Sequence, residues 1–224
     1  MTDSRERLTA TQVRDAGIAD WRQILGRLKA RFRTGDFTTG LALVNKIGEA
    51  AEAADHHPDM QLTYSDVIVT LSSHDVGGIT SRDLELARQI STHAAELGIA
   101  SDVSGLTQLE LGLDTASGPR LAPFYAALLG GQVDQGEPVD PSGQVPTVWW
   151  QEPDGDDEEF ALPGQSFEQR WHFDVWVPHD EGERRLQAVL DAGGRLVSDR
   201  AAPAYWVVED SDGNRSCICT PAGR

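Results

Sequence analysis

Leu28-Lys29-Ala30-Arg31-Phe32-Arg33 alternates apolar and basic side chains, the period of two that a β-strand shows when one face is buried and the other wet. Asp36 follows as a helix cap, and Phe37, Leu41, Val44, Ile47 and Ala51 recur in steps of three and four, the spacing of one buried helical stripe. That helix is expected to stop at Asp55-His56-His57-Pro58, because a proline pushes the residue before it out of the α region. Tyr64 to Ser72 alternates again, with Val67, Val69 and Leu71 on one side and Ile68 and Thr70 on the other. Thr80-Ser81-Arg82-Asp83 resembles a capping box with Asp in place of Glu, and Leu84, Ala87, Ile90, Ala94 and Leu97 carry a second helical stripe. These elements predict an α+β fold with helices packed on one face of an antiparallel sheet. The cationic side chains between Leu28 and Arg33 read as its solvated face.

Working outward, the chain has 224 residues, enough for two domains of about 100 residues each. Charge is unevenly shared, net −4 over residues 1–104 and net −13 over residues 105–224. The short, small and polar segment from Gly98 to Gly105 lies at that shift, so the expected domains are 1–103 and 104–224. A net charge of −17 argues against nucleic acid or an anionic membrane surface as a direct partner, since both are held through cationic side chains. No stretch approaches the roughly 18 apolar residues of a membrane span, and residues 1–20 lack the apolar core of a signal peptide. The expected location is the cytoplasm. Cys217 and Cys219, the two cysteines, suit neither a disulfide framework nor a four-cysteine zinc site and read as small side chains on one face of a strand.

The second half contains a weak internal repeat. Leu109 to Leu113, a proline-started helix from Pro119 to Leu129 and Gly130-Gly131 are echoed by Phe173 to Val177, a helix from about Glu181 to Ala192 and Gly193-Gly194. Each copy continues into β-rich sequence, at Pro146 to Gln151 in the first and at Ala204 to Glu209 and Ser216 to Thr220 in the second. Paired βαβββ units are the expected architecture. Between them, Glu152 to Gln169 includes Asp156-Asp157-Glu158-Glu159, an acidic run expected to face solvent.

Three histidines stand where secondary structure changes: His56 and His57 at the exit of the first long helix, and His74 at the end of the second strand, close to Asp75 and Asp83. Imidazoles titrate near neutrality, so one can be protonated while its neighbour is not, which suits simultaneous donation and removal of protons. Two other readings stand beside this one. The His-His-Pro turn can simply end a helix, and two imidazoles with a carboxylate can ligate a metal, although adjacent histidines in extended backbone point in different directions.

The run Glu52-Ala53-Ala54-Asp55-His56-His57-Pro58, then Tyr64, Val69-Thr70-Leu71-Ser72-Ser73-His74-Asp75, Gly77-Gly78-Ile79-Thr80 and Asp83 resembles the signature of the pterin-4a-carbinolamine dehydratases, over roughly residues 8–97. One departure is Met60, where members often carry an aromatic residue. The resemblance implies dehydration of 4a-hydroxytetrahydropterin to quinonoid dihydropterin without metal or bound organic cofactor, in pterin recycling, by a homodimer or homotetramer. It implies His56 and His74 as the acid/base pair, His57 as a positioning group, and Glu52 and Asp83 as carboxylates that orient the imidazoles. Asp55, His57, Ser73 and Asp75 are the expected substrate-binding residues. Activity is expected to depend on pH between about 6 and 8. A rival implication is a non-catalytic dimerisation partner.

Residues 106–224 resemble the vicinal oxygen chelate, or glyoxalase-like, proteins through Phe124 to Gly131, Trp171-His172-Phe173-Asp174-Val175 and Asp212-Gly213-Asn214-Arg215. In metal-dependent members a ligand stands early in the first strand of each unit and a glutamate follows the Gly-Asn turn. The matching positions here hold Gln108, His172 and Cys217, which do not resemble a working divalent-metal site; the alternative readings for this half are a ligand-binding module and a metal-dependent glyoxalase-type enzyme acting on a small oxygenated substrate. The aromatic residues Trp149, Trp150, Trp171, Trp176, Tyr205 and Trp206 either build the core of the paired units or line a ligand cleft.

Overall fold

The computed structural model describes residues 5–143, 145–151, 169–211 and 213–223. The acidic run Asp156-Asp157-Glu158-Glu159 and Asp212 lie outside the described residues. The chain divides into two compact units, Met1–Leu106 and Thr107–Arg224.

The first unit runs α1 (Ala10–Arg14), β1 (Arg22–Ile24), β2 (Arg27–Arg33), α2 (Phe37–Ala54), β3 (Asp59–Leu62), β4 (Asp66–Leu71), α3 (Ser81–Glu96) and β5 (Ala100–Ser101). Its strands form an antiparallel sheet in the order β1-β2-β4-β3, with β5 also paired to β2. The alternation in β2 and β4 is realised as expected: Leu28, Ala30 and Phe32 face inward beside Val67, Val69 and Leu71. They share one core with Leu43, Ile47 and Ala51 of α2 and Leu86, Ala87 and Ile90 of α3. Each fully buried branched side chain of this kind stabilises the fold by about 1.5–3 kcal/mol.

Two expectations change. The buried stripe of α2 is Gly40, Leu43, Ile47, Ala50 and Ala51, whereas Phe37 and Leu41 are half-exposed. The helix lies so close to the sheet that a Cβ at Gly40 would stand 2.6 Å from Leu62 Cδ1, so glycine faces the strands and the larger side chains turn away. Nor is the outer face of β2 merely solvated. Arg31 Nε donates to Asp66 Oδ1 at 3.0 Å and Arg31 Nη1 lies 3.7 Å from Asp102, which ties β2 to β4 and to the residue after β5. Burial, with Arg27 adding to it and Asp59 opposing it, lowers the Lys29 amine to about 8.

The second unit consists of two βαβββ motifs. The first is β6 (Gln108–Asp114), α4 (Gly118–Leu129), β7 (Gln132–Asp134), β8 (Glu137–Val139) and β9 (Thr147–Gln151). The second is β10 (Trp171–Trp176), α5 (Gly182–Asp191), β11 (Arg195–Ser198), β12 (Tyr205–Glu209) and β13 (Arg215–Cys219). In each motif the first strand pairs in parallel with the last, β6 with β9 and β10 with β13, and the two first strands meet antiparallel in the middle. The sheet order is β11-β12-β13-β10-β6-β9, while β7 and β8 form a separate hairpin.

The repeated glycine pairs do the same work twice. Gly130 and Gly193 take positive φ, 74° and 93°, after their helices. The following glycine lets the chain pass close to another segment. A Cβ would stand 2.2 Å from the Val139 carbonyl oxygen at Gly131 and 3.0 Å from the Val189 carbonyl oxygen at Gly194. The aromatic residues differ in their packing. Trp206 packs with Val177, Val208 and Ile218, whereas Trp149 stands edge-on to the His172 ring. Cys217 and Cys219 are both buried, two residues apart on β13, and are not joined in a disulfide. No helix among the described residues is long and apolar enough to cross a membrane.

Candidate active site

At the end of α2, Asp55 adopts a left-handed conformation (φ 46°, ψ 42°) and the His56 amide returns to the Ala51 carbonyl at 3.1 Å. This turn separates the adjacent histidines. His56 points inward, 8 % exposed, and its Nε2 lies 2.8 Å from Oδ1 of the wholly buried Asp83. His57 points outward, with Nε2 3.1 Å from Oε1 of Glu52 in the last turn of α2.

Asp83 is the third residue of α3, and its second oxygen is held by the start of that helix. Oδ2 accepts from the Thr80 amide at 2.8 Å and from Ser73 Oγ at 2.8 Å, and Ser73 and Thr80 hydroxyls are themselves 2.8 Å apart. The Arg82 amide donates to Thr80 Oγ1 at 3.2 Å, completing the cap. The capping box therefore does more than start a helix: it fixes the carboxylate that meets His56. An ionised carboxylate oxygen can only accept, so with Asp83 ionised this contact places the His56 proton on Nε2.

Of the expected site residues, His56, Asp83 and Ser73 are brought together by direct hydrogen bonds. His57 and Glu52 form an exposed pair, and Asp55 is exposed at the helix cap. His74 is exposed and follows Ser73 directly, so its backbone is anchored beside the buried network by the Ser73–Gly78 bridge. The Ser73 hydroxyl, expected to meet substrate, is buried and bonded to Thr80 and Asp83. Asp75 is gripped by Arg82 Nη2 at 2.7 Å, which, with Arg5 nearby, holds its carboxyl below the ordinary range. Thr80 is the network residue that the sequence analysis did not assign to the site, although its place in the capping box marked it.

Among the described residues, the group of three or more His, Cys, Asp or Glu side chains close enough to share an ion is His172, Asp174 and Cys217, in the second unit rather than at His56. Gln108, the other expected position, pairs with Trp176, whereas His172 pairs with Gly112, four residues further along β6.

An antiparallel sheet backed by two helices with a buried imidazole–carboxylate pair at its rim, followed by two βαβββ motifs, defines a two-part α+β protein with acid/base potential in its first part. The comparisons agree with that division. The family model described as pterin 4 alpha carbinolamine dehydratase matches residues 5–93, and that described as glyoxalase-like domain matches residues 110–219. A protein of Thermosynechococcus vestitus, provisionally named pterin-4-alpha-carbinolamine dehydratase, is 43% identical over 79 residues, 35% of this chain and 83% of that one. A protein of Rhodopseudomonas palustris with the same provisional name is 37% identical over 99 residues, 42% of this chain and 98% of that one. A solved structure titled transcriptional coactivator/pterin dehydratase from Brucella melitensis is 29% identical, with a TM-score of 0.39, and covers 40% of this chain and 99% of that one. Through its N-terminal unit the chain belongs to the pterin-4-alpha-carbinolamine dehydratase family, here joined to a glyoxalase-like domain.

Proposed function

We propose that the N-terminal unit dehydrates a 4a-hydroxytetrahydropterin to the quinonoid dihydropterin, serving pterin recycling in the cytoplasm. The observation that carries this reading is the buried His56–Asp83 pair, fixed by Thr80 and by Ser73, whose neighbour in the chain is His74. In the reaction the carbon–oxygen bond breaks, the hydroxyl leaves as water with a donated proton, and a ring nitrogen loses its proton as its electrons form the new double bond. No oxidant is consumed. One group must give a proton and another take one, which imidazoles do well near neutral pH.

In this reading His56 and His74 are the acid/base pair, Asp83 sets the tautomer of His56, and His57, steadied by Glu52, positions the pterin. Asp55 and Asp75 flank it, and Ser73 acts by holding Asp83. Side chains alone carry the chemistry, without a bound cofactor. The half-exposed Phe37 and Leu41 on α2 support assembly into homodimers or homotetramers. The test is a stopped-flow assay of 4a-hydroxytetrahydropterin breakdown by the intact chain and by His56→Ala and His74→Ala. Each substitution is expected to slow dehydration by roughly 10²–10⁴-fold. An unchanged rate in His74→Ala would overturn the assignment.

A further inference from the structure

His74 differs from the other two histidines of the candidate site in how it is held. His56 is oriented by Asp83 and His57 by Glu52, whereas no side chain among the described residues hydrogen-bonds the exposed His74 imidazole. Its position therefore follows from its backbone. That backbone is a short loop, closed at its base where Ser73 and Gly78 exchange amide bonds at 2.8 and 3.4 Å, and turned by the Gly77 amide donating to the His74 carbonyl at 3.3 Å.

The inner side of the loop is fastened by Ser73 to Asp83. Its outer side is gripped from elsewhere in the chain. Each oxygen of Asp75 meets a different arginine: Arg82 Nη2, at the start of α3, donates to Oδ1 at 2.7 Å, and Arg5 Nε stands 3.7 Å from Oδ2. Two residues on, a Cβ at Gly78 would stand 2.6 Å from Arg7 Nε, so the Arg7 side chain occupies the space that this glycine leaves open. The Leu8 amide then donates to the Ile79 carbonyl at 2.8 Å. Arg5, Arg7 and Leu8 thus meet residues 75, 78 and 79 in succession. The far end of this segment is fixed in turn, because Leu8 packs against the core, Thr9 caps α1 and Val13 is buried.

We propose that Arg5, Arg7 and Leu8 form a strap that positions His74 for proton transfer, acting through Asp75, Gly78 and Ile79. This role rests on the dehydratase reading of the first unit. The three residues and Arg82 donate no proton to substrate; they hold the loop from which His74 reaches the pterin. An exposed ion pair shifts an equilibrium by about fivefold at most, and one backbone hydrogen bond by about tenfold. Small as these are, a reacting group displaced by about 1 Å can lose about 100-fold in rate.

The test is the stopped-flow dehydration assay on the full chain with kcat and KM resolved, together with hydrogen exchange of residues 74–79 read by mass spectrometry. Leu8→Pro removes the amide donor and is expected to lower kcat about tenfold, to change KM by less than about twofold, and to speed exchange in the loop. The Arg5→Gln, Arg7→Gln double variant is expected to lower kcat about two- to fivefold, and Arg5→Lys with Arg7→Lys to restore most of it. Arg14→Gln, which removes a pair with Asp15 at the end of α1, keeps the parent kcat. Rates are compared per folded molecule, from urea unfolding of each variant, so that lost stability alone leaves them unchanged. The surface arginine variants decide the matter should Leu8→Pro fail to fold. An inactive parent overturns the dehydratase reading and the strap with it. An active parent whose folded variants keep its kcat, or lose activity through KM alone, overturns the strap and leaves the dehydratase reading standing.

Discussion

Replacing Asp83 by asparagine keeps the shape of the side chain and removes its charge. In the native site Oδ1 accepts from His56 Nε2, and Oδ2 accepts from the Thr80 amide and the Ser73 hydroxyl, each at 2.8 Å. An amide has one accepting and one donating end. With its NH₂ toward Thr80, two N–H groups would oppose each other in a fully buried site. With its oxygen toward Thr80, the NH₂ faces His56 Nε2, which must then surrender its proton to Nδ1. The second arrangement leaves each of these buried donors paired, and it reverses the polarity of the imidazole.

All three bonds keep a partner but lose their charge assistance, about 1 kcal/mol each, so the stability cost is about 2–4 kcal/mol. The effect on rate is larger than that loss would suggest, because an imidazole locked with its proton on Nδ1 cannot accept one there. A wrong-tautomer site of this kind loses on the order of 10³–10⁴ in rate. The assay is single-turnover dehydration at a temperature where urea or thermal unfolding shows the variant still folded. Glu52→Gln is the control: its pair with His57 is exposed, and the expected loss is less than about tenfold. A folded Asp83→Asn variant that dehydrates at the parent rate would refute the argument that Asp83 sets the tautomer of a working His56.

Lys29 makes a test of pH-linked stability. Its amine is lowered from 10.5 to about 8 in the folded chain, chiefly by burial. Between those values the unfolded chain holds a proton that the folded chain has released, so this group makes stability rise with pH from about 8 to 10.5. Lys29→Met is expected to remove that rise and to raise the urea midpoint at neutral pH; a pH profile unchanged by the substitution would contradict it. In the second unit, Gly131→Ala places a Cβ 2.2 Å from the Val139 carbonyl oxygen, a backbone atom that cannot swing aside. Its expected cost is about 1–3 kcal/mol, read as a lower urea midpoint by tryptophan fluorescence, and an unchanged midpoint would show that the chain relaxes freely there.

Much of the architecture is legible in local pattern. The alternation at Leu28 to Arg33 and at Val67 to Leu71 made two strands visible, and the Thr80–Asp83 cap placed the start of α3. β3 escaped notice because it is short and mostly exposed, so no apolar alternation marks it. The stripe of α2 was misphased because Phe37 and Leu41 are apolar yet face outward, and nothing within the helix reveals how closely a sheet will approach Gly40.

At the candidate site, the residue types and their gaps marked His56, His57, His74 and Asp83. They left open which of two neighbouring histidines turns inward, since that depends on the left-handed turn at Asp55. Propensity, periodicity and capping act within a few residues of chain, which is why elements, the repeat and the family could be read directly. The pairing of His56 with Asp83, 27 residues on, and the meeting of His172 with Cys217 across two strands depend on how separate segments pack and register, so folding in three dimensions alone assigned them.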